Sequence, residues 1–337
     1  MSTFTTYIGA RDGVYRLQGD QLESLGLNDQ RIWAIHGWHN GSGVVTLLAG
    51  TYGDGIFRSD DGGKNWSSSS EGLSATALRT ICPDPTQPDA LLCGTEPGRA
   101  FRSVDGGHTW SELSGIHQLE GYEEWYLPYS PRAGAIRNFY SPPGSGSRLL
   151  ASVEVGGLLD SPDAGETWSY IEVPPDHDIH HIGGHPDDPN LLYASLGYAG
   201  LKNEKRNENS PKLGGVGRSR DGGKSWTKLL TDYTRATIIP PTHKNLLLAG
   251  PAPFVGRMGR IDVSSDGGDT WESASHGLET PMADMVELFQ LAPDNSIWAV
   301  TSGGSLLWSK PGDWHWRSAL PNGSRPDVQS AVFLSND

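Results

Sequence analysis

Residues 59–66 read SDDGGKNW, and this stretch decides the fold because it recurs. The frame Ser-x-Asp-x-Gly-x-x-Trp returns as SVDGGHTW from Ser103, SPDAGETW from Ser161, SRDGGKSW from Ser219 and SSDGGDTW from Ser264. A sixth copy, SKPGDWHW from Ser309, keeps Ser309 and Trp316 but loses the Asp. Successive copies are 44, 58, 58, 45 and 45 residues apart. Five copies of a four-position pattern are not a chance event, and a period of this length marks a repeat architecture.

Each residue of the frame has a local task. Gly supplies positive φ near the tip of a tight hairpin. The Asp carboxylate accepts hydrogen bonds from amides of its own turn, and the Ser hydroxyl closes the same turn. The Trp heads the following strand and offers a large apolar ring to a neighbouring sheet. The frame is therefore read as a folding staple with no catalytic part.

Working outward, a short strand precedes each box, as in Gly55-Ile56-Phe57-Arg58 or Leu306-Leu307-Trp308. Before it lies an apolar strand ending in small residues (VVTLLAGTYGDG, ALLCGTEPG, LLLAGPAP), and before that a strand that often ends in Pro (ALRTICPDP, RATIIPP). Four strands per unit at this period describe a propeller blade. The N-terminal TTYIGARDGVYRLQGD and QLESLGL supply three strands of a boxless blade, and the C-terminal DVQSAVFLS supplies its missing innermost strand. The expectation is an all-β, single-domain, seven-bladed β-propeller over residues 1–337. Its blades are four-stranded and antiparallel, its first blade is closed by both chain ends, and six or eight blades are the alternatives. Two stretches, at about 120–135 and 198–217, exceed what the frame needs and explain the 58-residue steps.

The formal charge is -14, with 26 Lys and Arg against 40 Asp and Glu. Such a chain has no basic field with which to displace counterions from nucleic acid or an anionic membrane, so neither partner is expected. No 18-residue apolar run and no charged leader with an apolar core is visible, which leads to the expectation of a cytoplasmic protein. Two cysteines, Cys82 and Cys93, cannot make a disulfide framework and are read as reduced, buried thiols.

The boxes and their Ala-Gly-Thr or Tyr-Ala-Ser context resemble the Asp-box (BNR-repeat) propellers. This sialidase-like superfamily also holds xyloglucan-active hydrolases, sortilin-type receptors and a photosystem II assembly factor. The resemblance covers nearly the whole chain and implies the fold. It says little about activity, since one fold hosts many functions and the boxes sit away from the working face in these families. The sialidase pattern of Arg-Ile-Pro, an arginine triad and a Tyr–Glu pair is met only by Arg31-Ile32-Trp33, with Trp where Pro belongs.

In a propeller the loops entering the inner strands, and those joining second to third strands, share one face. Inner strands here begin at Trp33, Arg79, Arg137, His180, Arg235, Glu287 and Gln329, and the inter-strand loops carry Tyr52, Asp54, Glu96, Glu154 and Tyr198. Arg79, Arg137 and Arg235 are candidates to grip an anionic group. His180 is the candidate general acid or base, with Glu154 or Glu287 as its carboxylate partner. The 121–134 loop adds Trp125 and Tyr126 as candidate sugar-stacking rings. His177, His180, His181 and His185 leave a divalent metal open, although alternation along a strand would point His180 and His181 to opposite faces; no cofactor is otherwise expected. Two functions follow: a hydrolase or lyase, glycosidase-like, acting on a carbohydrate or small molecule at the channel mouth, or a non-catalytic propeller that binds a glycan or protein. Oligomeric state stays open.

Overall fold

The computed structural model describes residues 3–127, 134–173, 177–198, 214–324 and 326–336. Seven four-stranded sheets form around one axis. Six of them run in chain order from inner to outer strand, the first being Ile32–His39, Val45–Thr51, Ile56–Ser59 and Ser67–Ser68. In the remaining sheet the C-terminal strand Val328–Ser335 lies innermost, against Phe4–Ala10, followed by Gly13–Gln18 and Gln21–Ser24. The expected closure by both ends is therefore present. Helix is confined, among the described residues, to two single turns, Ile116–Gln118 and Tyr122–Glu124, and no helix there is long and apolar enough to cross a membrane. Cys82 and Cys93 are free thiols.

Every intact box shares a core of hydrogen bonds: Ser Oγ to the Asp carboxylate, the second Gly-position amide to Ser Oγ, and the amide four residues after the Asp to its carboxylate. In the second, Ser103 Oγ donates to Asp105 Oδ1 at 2.7 Å and accepts from the Gly107 amide at 2.8 Å, while the amides of His108 and Thr109 donate to Asp105. Burial opposes ionisation of Asp105, but these donors outweigh it and hold the carboxyl well below the usual range. The box tryptophans pack where expected: Trp110 lies with Leu48 and Ile56 of the preceding blade, and its Nε1 donates to Ser69 O at 3.0 Å.

A second device keys four of these boxes to the blade before them. Guanidiniums of Arg58, Arg102, Arg148 and Arg218 donate to the carbonyls of Gly106, Ala164, Gly222 and Gly267, each at the residue after a box Asp. At the position equivalent to Arg58, the sixth blade carries Val263, and the box it faces is the decayed one. There Ser309 Oγ is buried without a hydrogen-bond partner, because Pro311 stands in place of the Asp and Asp313 in place of the Gly. Ser103→Ala should therefore cost roughly 1–3 kcal/mol, by leaving its partners unsatisfied, whereas Ser309→Ala should be within about 0.5 kcal/mol of neutral. Urea midpoints of the two variants check this; equal losses would mean that the sixth turn is still held by its serine.

The core lies between blades. Small residues in the second strands let the next blade approach closely: a Cβ on Gly94 would come within 2.7 Å of Ile136 Cγ2, and one on Gly250 within 2.5 Å of Val286 Cβ. Those aliphatic residues immediately precede Arg137 and Glu287, so close packing of the sheets sets where the channel residues begin.

Candidate functional site at the channel mouth

Each of the seven inner strands carries a register irregularity near its start. Pairing skips Trp33 between Ile32 and Ala34, Arg79 between Leu78 and Thr80, and Arg137 between Ile136 and Asn138. It skips His180, Glu287 and Gln329 in the same way, and Arg235 with Ala236 between Thr234 and Thr237. A bulge leaves its extra residue out of the ladder and re-aims the side chain. All seven bulged positions line one cavity of 480 Å³ at the channel mouth. The bulge is the one circumstance that lets the adjacent histidines escape strand alternation: His180 and His181 line the same cavity, because the regular pairing is broken between Ile179 and His181.

The charged groups form a continuous belt. Arg79 Nε lies 3.3 Å from Glu96 and its Nη2 3.3 Å from Glu154, with its guanidinium 4.4 Å from the ring centre of Trp33. Trp33 stacks on Tyr52, whose hydroxyl donates to Glu96 at 3.2 Å. Glu154 also takes Arg137 at 3.0 Å; Arg137 in turn lies 3.7 Å from Glu287, which pairs with Arg235. Arg235 Nε donates to Tyr233 Oη at 3.0 Å, Tyr233 Oη lies 3.0 Å from His180 Nε2, and the same nitrogen lies 3.1 Å from Asp178. His180 Nδ1 is buried with no hydrogen-bond partner.

Exposure divides the belt in two. The side chains of Arg79, Glu96 and Glu154 are at most 6% exposed, whereas those of Arg137, Arg235 and Glu287 are 17–18% exposed and reach the cavity. Burial alone would raise Glu154, but the charges of Arg137, Arg79 and Arg235, with the His180 imidazole nearby, outweigh it and hold the carboxyl well below its ordinary value. That environment suits an ionic strut between two arginines and not a proton donor, so the geometry gives Glu154 a different part from the one expected of it. Burial pushes the Tyr233 hydroxyl far up and lowers His181 to about 4.

Other expected residues lie elsewhere. Trp125 is 6% exposed, packed flat over Gly134 and Gly156 beside Tyr122, with Nε1 donating to Tyr170 Oη at 3.2 Å. It anchors its loop in the core and presents no face to a ligand, because the neighbouring glycines leave a flat recess that the indole fills. Tyr126 is 47% exposed but does not line the cavity. Residues 128–133 of that loop and 199–213 of the second insertion lie outside the described residues. Asp54 sits exposed in a turn, and His185 Nδ1 accepts the Asp187 amide as a turn closure. Among the described residues no group of three His, Cys, Asp or Glu is placed to hold a metal.

Asp178 and Tyr233 were not foreseen, though a signal existed. Asp178 stands two residues before His180 and Tyr233 two before Arg235, the spacing that places side chains on one face of a strand. Gly197 leaves the room: a Cβ there would lie 2.2 Å from Asp178 Oδ2 and 2.5 Å from His180 Nε2.

A family model described as the BNR/Asp-box repeat matches residues 57–68. The chain is a seven-bladed β-propeller that carries a BNR/Asp-box repeat. No curated protein matches the propeller in sequence. Among solved structures it is similar to the GH74 xyloglucanase from Xanthomonas campestris, with a TM-score of 0.70 and 18% identity over 100% of this chain and 53% of that one. The Niastella koreensis GH74 enzyme gives 0.67 and 17% over 95% and 53%. YCF48 bound to D1 peptide gives 0.59 and 16% over 92% and 90%. The Asp-box propeller thus spans about half the length of these GH74 structures. At such identities the likeness is one of fold, shared by glycoside hydrolases and by a peptide-bound propeller alike.

Proposed function

We propose that the channel mouth binds a sugar or small molecule carrying an acidic group and works on it by proton transfer, as a hydrolase or lyase. The observation that carries this is the sevenfold bulge, which sets Arg137, Arg235 and Glu287 partly exposed at one cavity, with Arg79 and His180 buried in its wall. Arg137 and Arg235 are the cations within reach of the cavity and grip the anionic group. Glu287 orients both. His180, braced by Asp178 and Tyr233, handles the proton. Arg79, Glu96 and Glu154 form the buried ring that keeps the mouth in shape.

Titration calorimetry with galacturonic acid, N-acetylneuraminic acid and neutral xylose tests this. At least one acid should bind and xylose should not. Arg137→Met should weaken the acid roughly 10–100-fold, the loss expected from one charge-assisted contact of about 1.5–3 kcal/mol. Equal affinity for acid and neutral sugar, or for both protein forms, would refute the reading.

One observation favours a second reading, a binding propeller without turnover. Glu154, the mouth carboxylate with a marked shift, is driven toward the ionised form. Glu154 is thereby not prepared as a neutral carboxylic acid to protonate a leaving group, as glycoside hydrolysis of the two-carboxylate type needs. Binding of the linear galacturonic acid trimer, which has glycosidic bonds to cleave, without product release over days would select this alternative.

A further inference from the structure

The loop Pro253–Met258, between the second and third strands of the sixth blade, is unlike the rest of the surface. Phe254, Val255 and Met258 are 49%, 55% and 42% exposed, three of the few large apolar side chains in solvent among the described residues. Large exposed apolar groups that cluster mark contact sites. Arg257 lies over the Phe254 ring at 5.1 Å, and its amide donates to Phe254 O at 3.3 Å. Among the described residues Arg257 has no carboxylate partner, in a chain with 40 acids to 26 bases. Neighbouring Arg260, by contrast, is paired with both Asp232 and Asp262.

The loop is moored to the mouth. The Gly256 amide lies 3.1 Å from Met285 Sδ, and Ser302 Oγ donates to Gly256 O at 3.2 Å. Ser302 lines the mouth cavity, and Met285 is fully buried two residues before Glu287. The exposed ring and guanidinium therefore stand on a fixed base at the lip of the cavity.

We infer that Phe254 and Arg257 form an outer subsite for an acidic oligosaccharide whose terminal unit occupies the mouth. The inference rests on the mouth taking an acidic sugar. A pyranose presents a flat C–H face that packs on an aromatic ring, and Phe254 offers such a ring with its edge of Val255 and Met258. A carboxylate on that sugar unit meets the unpaired Arg257 guanidinium in a charge-assisted pair. In this reading the mouth takes the terminal unit, and the lip selects for the chain that continues from it.

Calorimetry with galacturonic acid and its linear trimer, on the native chain, Phe254→Ala and Arg257→Gln, tests the subsite. The native chain should bind the trimer at least tenfold more tightly than the monomer. Phe254→Ala should remove most of that advantage and leave monomer affinity unchanged, and Arg257→Gln should weaken the trimer in a salt-dependent way. A trimer advantage that is missing, or that survives Phe254→Ala, overturns the subsite while the mouth reading stands. Failure of both probes to bind overturns the mouth reading and the subsite with it.

Discussion

Removing residues 327–337 should abolish cooperative folding, the largest effect expected of any change to this chain. The C-terminal strand pairs with Phe4–Ala10 from Phe4↔Ser335 to Ala10↔Val328. It buries Val328 and Ala331 in a cluster with Ile8, Trp298 and Leu306, and so joins the first blade to the seventh. Without it, Phe4–Ala10 becomes an open edge facing the channel, a ready template for pairing with other chains. Losing the ladder and several buried side chains, each worth roughly 1.5–3 kcal/mol, removes about as much as the 5–15 kcal/mol net stability of a typical protein. The shortened chain should show no sharp thermal transition and should elute as aggregate in size-exclusion chromatography. A synthetic 326–337 peptide added in trans should restore part of the transition. A truncated chain that melts cooperatively as a monomer would mean that closure is not what holds the ring.

Glu154→Gln should cost roughly 3–5 kcal/mol, the loss typical when one partner of a buried ion pair is removed. The side chain bridges Arg79 and Arg137 and is 6% exposed, so water cannot replace it. For a chain of this length that is a fall of about 4–7 °C in Tm. The pH dependence follows from the sign of the shift. The carboxyl is held below its unfolded value, so its contribution is present above about pH 4.3–4.5 and is lost as pH falls toward the folded value. The gap between native and variant Tm should thus be full at pH 7 and narrow below pH 4. A gap under about 1 kcal/mol at pH 7, or one independent of pH, would show that the belt is not a buried ionic ring.

Residues that act within a few positions of each other were open to reading from the chain alone. Ser103, Asp105 and Gly107 make their turn wherever they occur, so the boxes, their count and the four-strand unit were legible. The seven mouth residues were found for a related reason, since each starts an inner strand. What was misjudged depended on contacts between segments distant in the chain, some of them across blades. Trp125 reads as a sugar platform until Gly134 and Gly156 are seen to form the recess it fills. Glu154 reads as a catalytic carboxylate until Arg79 and Arg137 arrive from two blades. Tyr233 was missed because its importance lies in meeting His180 from the next blade, which no spacing along one strand records, whereas Asp178, two residues before His180, was legible in that spacing.

By itself, then, the sequence determined the repeat. SDDGGKNW and its copies specify a hairpin through local hydrogen bonds and positive-φ glycines, and local interactions need no knowledge of the rest of the chain. Tertiary structure alone decided that those seven residues converge on one cavity and how their charges pair. The bulge that turns Trp33, Arg79, Arg137, His180, Arg235, Glu287 and Gln329 inward has no sequence signature of its own, and strand alternation would have sent some of them away. Which charges then neutralise one another was settled only when seven sheets met around one axis, because the pairs Arg79–Glu154, Arg137–Glu287 and Arg235–Glu287 each join two blades.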